Sequence, residues 1–172
     1  MGYTSYFKRP ESFDEKTFTK FAADVRKLFK ASVELNKTLE GDEKIFLANG
    51  RGEVGTKPIA NKEKVIFNGM KLPDFDGSYE TLYIPRVFKP NSWQTPDGKG
   101  LFFSFCKTAR LPYDLIVSAT LIALKKHFPK VYVSSDGNDK EDEWIAAKKF
   151  CQNTLGYGKD FNVDKGDFVK KK

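Results

Sequence analysis

The block spanning residues 100–135 restricts the fold more than any other part of the chain. GLFFSFC (100–106) is an almost unbroken apolar run of strand length. PYDLIVSATLIALKKHF (112–128) is too long for a strand and nearly free of polar residues until its basic end. KVYVSSDG (130–137) then returns to strand character and stops at Ser-Asp-Gly. A continuous apolar strand is expected to be central and covered on both faces. The helix should be largely buried, with Pro112 at its first position and Asp114 in its first turn, where a negative charge is favoured. If the two strands are neighbours in one sheet, they run parallel through a crossover and their carboxyl ends share an edge.

The flanking segments fill in the rest. YTSYFK (3–8) reads as a first strand. SFDE offers a capping box, with Ser12 as N-cap and Glu15 three residues on. The helix it opens runs to about Leu35, with Phe18, Phe21, Ala22, Val25, Leu28 and Phe29 at helical spacing. KIFLANG (44–50) and KVIFNG (64–69) are short strands ending in Asn-Gly turns, and YETLYIPR (79–86) is a third. In the last of these, Tyr79, Thr81 and Tyr83 share one face and Glu80, Leu82 and Ile84 the other. GRGEVG (50–55) satisfies G-x-G-x-x-G, but no helix pattern follows it, so it is read as a loop. Trp93 lies in a proline-bearing loop and is expected to tuck against the core edge. DKEDEWIAAKKFCQNTLG (139–156) is a last helix, capped by Asn138 or Asp139 and stopped by Gly156. The expectation is α+β, a mixed, mainly antiparallel sheet packed by three helices in the order β-α-β-β-β-β-α-β-α. Residues 1–158 form one domain and 159–172 a polar basic tail, frayed at Lys170–Lys172.

Composition narrows the function classes. The net charge of +7 favours polyanionic partners such as nucleic acid, nucleotides or an acidic protein surface. No apolar run is long enough to span a membrane, and the start of the chain lacks a signal-peptide core. Two cysteines, Cys106 and Cys151, are too few for a disulfide framework and read as buried free thiols in a reducing compartment. The single histidine, His127, sits where a helix C-terminus favours its charge, and no CxxC or HxxxH spacing marks a metal site. No cofactor is expected.

Chemistry concentrates at SFCKTARLPYD (104–114). Lys107, Thr108 and Arg110 lie at a strand end and feed a helix N-terminus, whose free N–H groups favour anions. The crossover would bring Ser134, Ser135 and Asp136 to the same edge, where ligands of such sheets commonly bind. Tyr113 and Asp114 complete the turn, and Arg86 is a candidate for its rim. A phosphate or carboxylate would suit this arrangement. The same residues admit a purely structural reading, with Arg110 paired to Asp114, Lys107 solvated and Tyr113 packed. Cys106 lacks a nearby base, since His127 lies at the far end of a helix about 24 Å long. DFDG (74–77) reads as a loop without a metal-site spacing.

The segment FSFCKTARLPYD (103–114), with VSSDG (133–137) and ETL (80–82), resembles a segment shared by small phage and prophage proteins. The likeness covers about residues 64–150 and brings no catalytic residue. It implies an intracellular protein in the cytoplasm of a bacterial host, of a kind that counters host defence or handles nucleotides. Three functions stand side by side. The first is non-catalytic binding of a phosphate-bearing ligand, a nucleotide or nucleic acid, at 106–114 and 134–137; a basic stripe away from that edge would favour nucleic acid. The second is inhibition of a host enzyme through an exposed patch near Trp93, Phe88 and Tyr79. The third is a nucleotide-processing enzyme with Asp114 or Asp136 as base.

Overall fold

A computed structural model describes residues 2–169, so the expected frayed end at Lys170–Lys172 lies outside the described residues. The elements are β1 (Thr4–Arg9), α1 (Glu15–Leu35), β2 (Leu47–Ala48), β3 (Ile59–Ala60), β4 (Lys64–Gly69), β5 (Leu82–Pro85), β6 (Phe102–Lys107), α2 (Asp114–His127), β7 (Tyr132–Ser135), α3 (Asp142–Leu155), β8 (Phe161–Asn162) and β9 (Asp167–Phe168). The fold is α+β with antiparallel pairing throughout these strands. The strands form three sheets rather than one: β6-β1-β7, a four-stranded sheet in which β4 pairs with β2, β3 and β5, and the hairpin β8-β9. Among the described residues no helix is long and apolar enough to cross a membrane.

The 100–135 block folds as strand, helix, strand, but β1 inserts between its two strands. Both β6 and β7 pair antiparallel to β1, so they run parallel to each other across it, and their carboxyl ends do share an edge. β6 is therefore an edge strand, not a central one. Its side chains alternate: Phe102 and Cys106 are buried, whereas Phe103 and Phe105 face solvent. An unbroken apolar run conceals this alternation, because hydrophobicity alone does not say which rings are covered.

Helix α2 is the central element, buried from Ile116 through Lys125, and packs on β1, β7, α1 and α3. Lys125 is buried because its ammonium donates to the carbonyls of Pro129 and Val131. The helix begins at Asp114 rather than Pro112, since residues 108–113 form a tight turn closed by Leu111 N–H to Thr108 and Asp114 N–H to Leu111. α1 is capped by Asp14, whose carboxylate accepts from the Thr17 N–H at 2.8 Å. Ser12 instead joins a bridge to Val87. α3 is capped at Glu141, because Asn138 and Asp139 spend their side chains on Glu141, Lys148 and Val163. Gly156 ends it at φ 81°, as expected of a left-handed cap. His127 closes α2 and bonds Asp24 of α1 at 2.9 Å, a structural role.

Three further expectations change. The polar stretch 50–62 contains a strand, β3, which pairs with β4. Trp93 is 75% exposed instead of tucked, its loop being held by Asp97 and Gln94 rather than by the ring. The segment after Gly158, expected as a tail, carries the β8-β9 hairpin and inserts Phe161 and Val163 into the core beside Trp144. Phe161 with Val163, and Phe168 with Val169, are short apolar pairs among charges, too brief a pattern to read as an element.

Arg9 joins the two larger sheets. Its buried guanidinium donates to the carbonyls of Pro10, Pro85, Glu11 and Arg86 and stands 4.4 Å from the centroid of Phe13. Burial depresses its pKa to about 10, still far above neutrality.

Candidate functional site

The shared carboxyl edge of β6 and β7 gathers most of the sequence-predicted site residues. Thr108, Arg110, Tyr113, Asp114, Ser135 and Asp136 all lie there, and nearly all are engaged with one another or with their neighbours. The Thr108 and Ala109 N–H groups both donate to the Tyr3 carbonyl. Thr108 Oγ1 donates to Asp114 Oδ1 at 2.5 Å. Asp136 accepts from the Thr4 N–H at 2.9 Å and from the Tyr6 hydroxyl at 2.8 Å. Ser135 Oγ accepts from the Gly137 N–H. Tyr113 is buried, and its hydroxyl donates to the Glu80 carbonyl at 2.8 Å.

Arg110 turns away from Asp114. It bonds Glu143 at 2.6 Å and Glu141 at 3.3 Å, and stacks 4.3 Å from the centroid of Tyr3. Reaching these partners takes a turn in which Ala109 and Arg110 hold φ values of 53° and 59°. Two successive non-glycine residues in the left-handed region are strained. The anion that this strand-to-helix turn holds is the carboxylate of Asp114, a residue of the chain itself. Burial lifts that carboxyl to about 6, against the pull of the Thr108 hydroxyl. Burial also pushes the Cys106 thiol far above its usual range, which suits a packed residue and not a nucleophile.

The remaining predicted residues lie elsewhere. Arg86 is at the opposite end of the sheet, near Glu63, with its carbonyl bonded to Phe13. Ser134 and Lys107 belong to the outer face of the sheet, the side turned away from α2. Among the described residues Lys107 makes no ion pair; its ammonium stands 5.4 Å from the centroid of Tyr79.

That outer face carries a group that the sequence reading passed over. Register places Phe105 opposite Tyr6, Phe103 opposite Lys8, and Tyr6 and Lys8 opposite Ser134 and Tyr132. Phe103 is 51% exposed and Phe105 54%. Tyr6 and Phe103 stack at 5.8 Å between centroids, and Phe103 meets Phe105 at 6.0 Å. Lys8 lies among them and pairs with Asp97 at 3.1 Å. The signal was present in the sequence as period two along F-F-S-F-C-K, which sets Phe103, Phe105 and Lys107 on one side. Aromatic rings on a sheet surface, bordered by cations, can stack bases and meet phosphates.

Comparison with known proteins leaves this geometry as the basis for function: no family model, curated protein or solved structure matches the chain.

Proposed function

We propose that this protein binds single-stranded nucleic acid, without catalysis, on the outer face of β1, β6 and β7. The observation that carries the reading is the contiguous set of Tyr6, Phe103 and Phe105, in which Phe103 meets both other rings, Phe103 and Phe105 are exposed and Tyr6 is half-buried. Exposed phenylalanines on an edge strand invite aggregation, and a chain that keeps a cluster of them has a use for the surface. Bases stack on such rings regardless of sequence, while duplex DNA keeps its bases inside. Lys107 beside the rings and the net charge of +7 supply the attraction for phosphate. This moves the ligand from the carboxyl edge, where the chain satisfies its own groups, to the neighbouring face. The phage-like segment at 103–114 would put such binding inside a bacterial cell.

The test is fluorescence anisotropy with labelled single-stranded and hairpin duplex oligonucleotides at several salt concentrations. Single strands should bind more tightly than the duplex and weaken as salt rises. Equal binding to both, or binding indifferent to Phe103→Ala with Phe105→Ala, would defeat the proposal.

A second reading, docking on a host protein, is favoured by Trp93, whose ring projects from the loop before β6. It predicts that Trp93→Ala abolishes capture of a host protein and leaves oligonucleotide binding untouched.

A further inference from the structure

Tyr79 lies outside the three-stranded sheet, yet both polar groups of its backbone are held by one buried side chain. Asn68 is wholly buried, and its side-chain amide grips Tyr79 from both directions. Oδ1 accepts from the Tyr79 N–H at 3.1 Å, and Nδ2 donates to the Tyr79 carbonyl at 3.0 Å. The next residue, Glu80, is clamped to the end of β6. Its N–H donates to the Lys107 carbonyl at 3.1 Å, and its carboxylate accepts from the Lys107 N–H at 2.7 Å. Its carbonyl accepts from the Tyr113 hydroxyl. Behind Asn68, a side chain on Gly69 would collide with the Gly77 carbonyl, so the two segments meet as closely as backbones can.

All of this machinery fixes the backbone that carries a ring 50% exposed, and the ring itself meets the Lys107 ammonium at 5.4 Å. Core packing does not need such a ring, and a preorganised aromatic is what a stacking platform requires. Its place is also specific. Phe103, Phe105 and Lys107 alternate along one side of β6, and Lys107 reaches over Tyr79. The row of outward groups therefore runs ring, ring, cation, ring.

We infer that Tyr79 extends the nucleic-acid track beyond the sheet: a single strand stacks on Phe103 and Phe105, passes a phosphate over Lys107, and places one further base on Tyr79. This rests on the reading of the outer face given above. It makes the ligand a strand one nucleotide longer than the sheet face alone would hold, with the extra contact supplied by the connection between β4 and β5.

Length-resolved binding tests it. Labelled oligo-dT and oligo-U of about two to eight nucleotides are titrated against the full chain, with the shortest measured by competition. Affinity of the wild type should climb with length to a plateau. Tyr79→Ala should reach its plateau one nucleotide earlier and lose about five- to one-hundred-fold on the longer oligomers, with the shortest unaffected. Tyr79→Phe, which keeps the ring and the backbone grip, should bind like the wild type. Lys107→Gln, at a residue the sheet face already uses, should weaken the longer oligomers and reduce the salt slope by about one; if Tyr79→Ala does not fold, Tyr79→Leu, which keeps apolar bulk without a stacking face, reads the same plateau. If Tyr79→Ala matches the wild type at every length while Phe103→Ala with Phe105→Ala loses binding, the track ends on the sheet and the inference is wrong, whatever Lys107→Gln does. If the wild type binds no oligomer of any length, the outer-face reading falls and this inference with it.

Discussion

Tyr6 and Phe103 stack diagonally across the β1–β6 ladder, with centroids 5.8 Å apart and ring planes 28° from parallel, although the residue directly opposite Tyr6 is Phe105. The two rings and Phe105 form one apolar surface on the side of the sheet away from α2, against which Phe7, Cys106 and Val133 are buried. Replacing Phe103 and Phe105 by alanine should therefore abolish most binding to single strands while costing little stability. The expected loss is about 1–3 kcal/mol of binding free energy per ring, read by anisotropy, with the thermal midpoint nearly unchanged or raised.

Thr108 and Asp114 carry the strand-to-helix turn. Thr108→Val keeps the shape of the side chain and removes the hydroxyl that the buried carboxylate accepts. The variant should lose about 2–4 kcal/mol in urea unfolding at neutral pH, since a buried charge is left without its partner. It should also titrate Asp114 at higher pH than the wild type, because the lost hydroxyl is what holds that carboxyl down.

Asp114 makes stability depend on pH in a stated direction. Its carboxyl titrates near 6 when folded, above the ordinary range of about 4. Between those values the folded chain holds a proton that the unfolded chain has released. The stabilisation is complete below about pH 4 and is lost as pH rises through about 6, an effect on the order of 3 kcal/mol. Asp114→Asn keeps an acceptor for Thr108 and removes the titration. Its stability relative to the wild type should grow from pH 4 to pH 7 in urea melts, and a constant difference would show that Asp114 is not the group responsible.

The C-terminal hairpin is part of the core. Phe161 is buried against Trp144 and Phe168. Phe161→Ala should cost about 3–5 kcal/mol. A chain cut after Gly158 should be destabilised at least as much, and an unchanged melting temperature would contradict this packing.

Asn68→Ala would strip partners from the Tyr79 backbone and from the Gly69 N–H at once. A loss of at least about 2 kcal/mol is expected in denaturant unfolding. Hydrogen exchange should show the 78–81 segment opening first.

Much of the fold could be read from the chain because local and tertiary preferences agree there. Phe18, Phe21, Ala22, Val25 and Leu28 share one face of α1, and all are buried. Leu82 and Ile84 face inward and Tyr83 outward, as alternation requires. The caps were less legible. Ser12, Asn138 and Asp139 are good N-cap residues by type, but Ser12 and Asp139 found partners further along the chain and Asn138 bonds the nearby Glu141, so Asp14 and Glu141 took the positions instead. The edge site was legible as a place and misleading as chemistry. Lys107, Thr108, Arg110 and Asp114 do crowd one turn, but a sequence does not show that Glu141 and Glu143, a helix away, will claim the arginine. The outer face stayed hidden because five apolar letters among the six from Leu101 to Cys106 look alike until β6 is known to be an edge.

Arg9 has a consequence for how the molecule comes apart. It is a cation held by carbonyls from both sides of the junction between β1 and the β5 segment, with no carboxylate among those partners. Separating the three-stranded sheet from the sheet of β2–β5 would strip that charge of the Pro85 and Arg86 carbonyls and leave it only those of Pro10 and Glu11, next to Phe13 and Phe88. Partial opening along this seam is thus penalised by the two hydrogen bonds it breaks. The two sheets should melt together in a single calorimetric transition, with no half-folded species between.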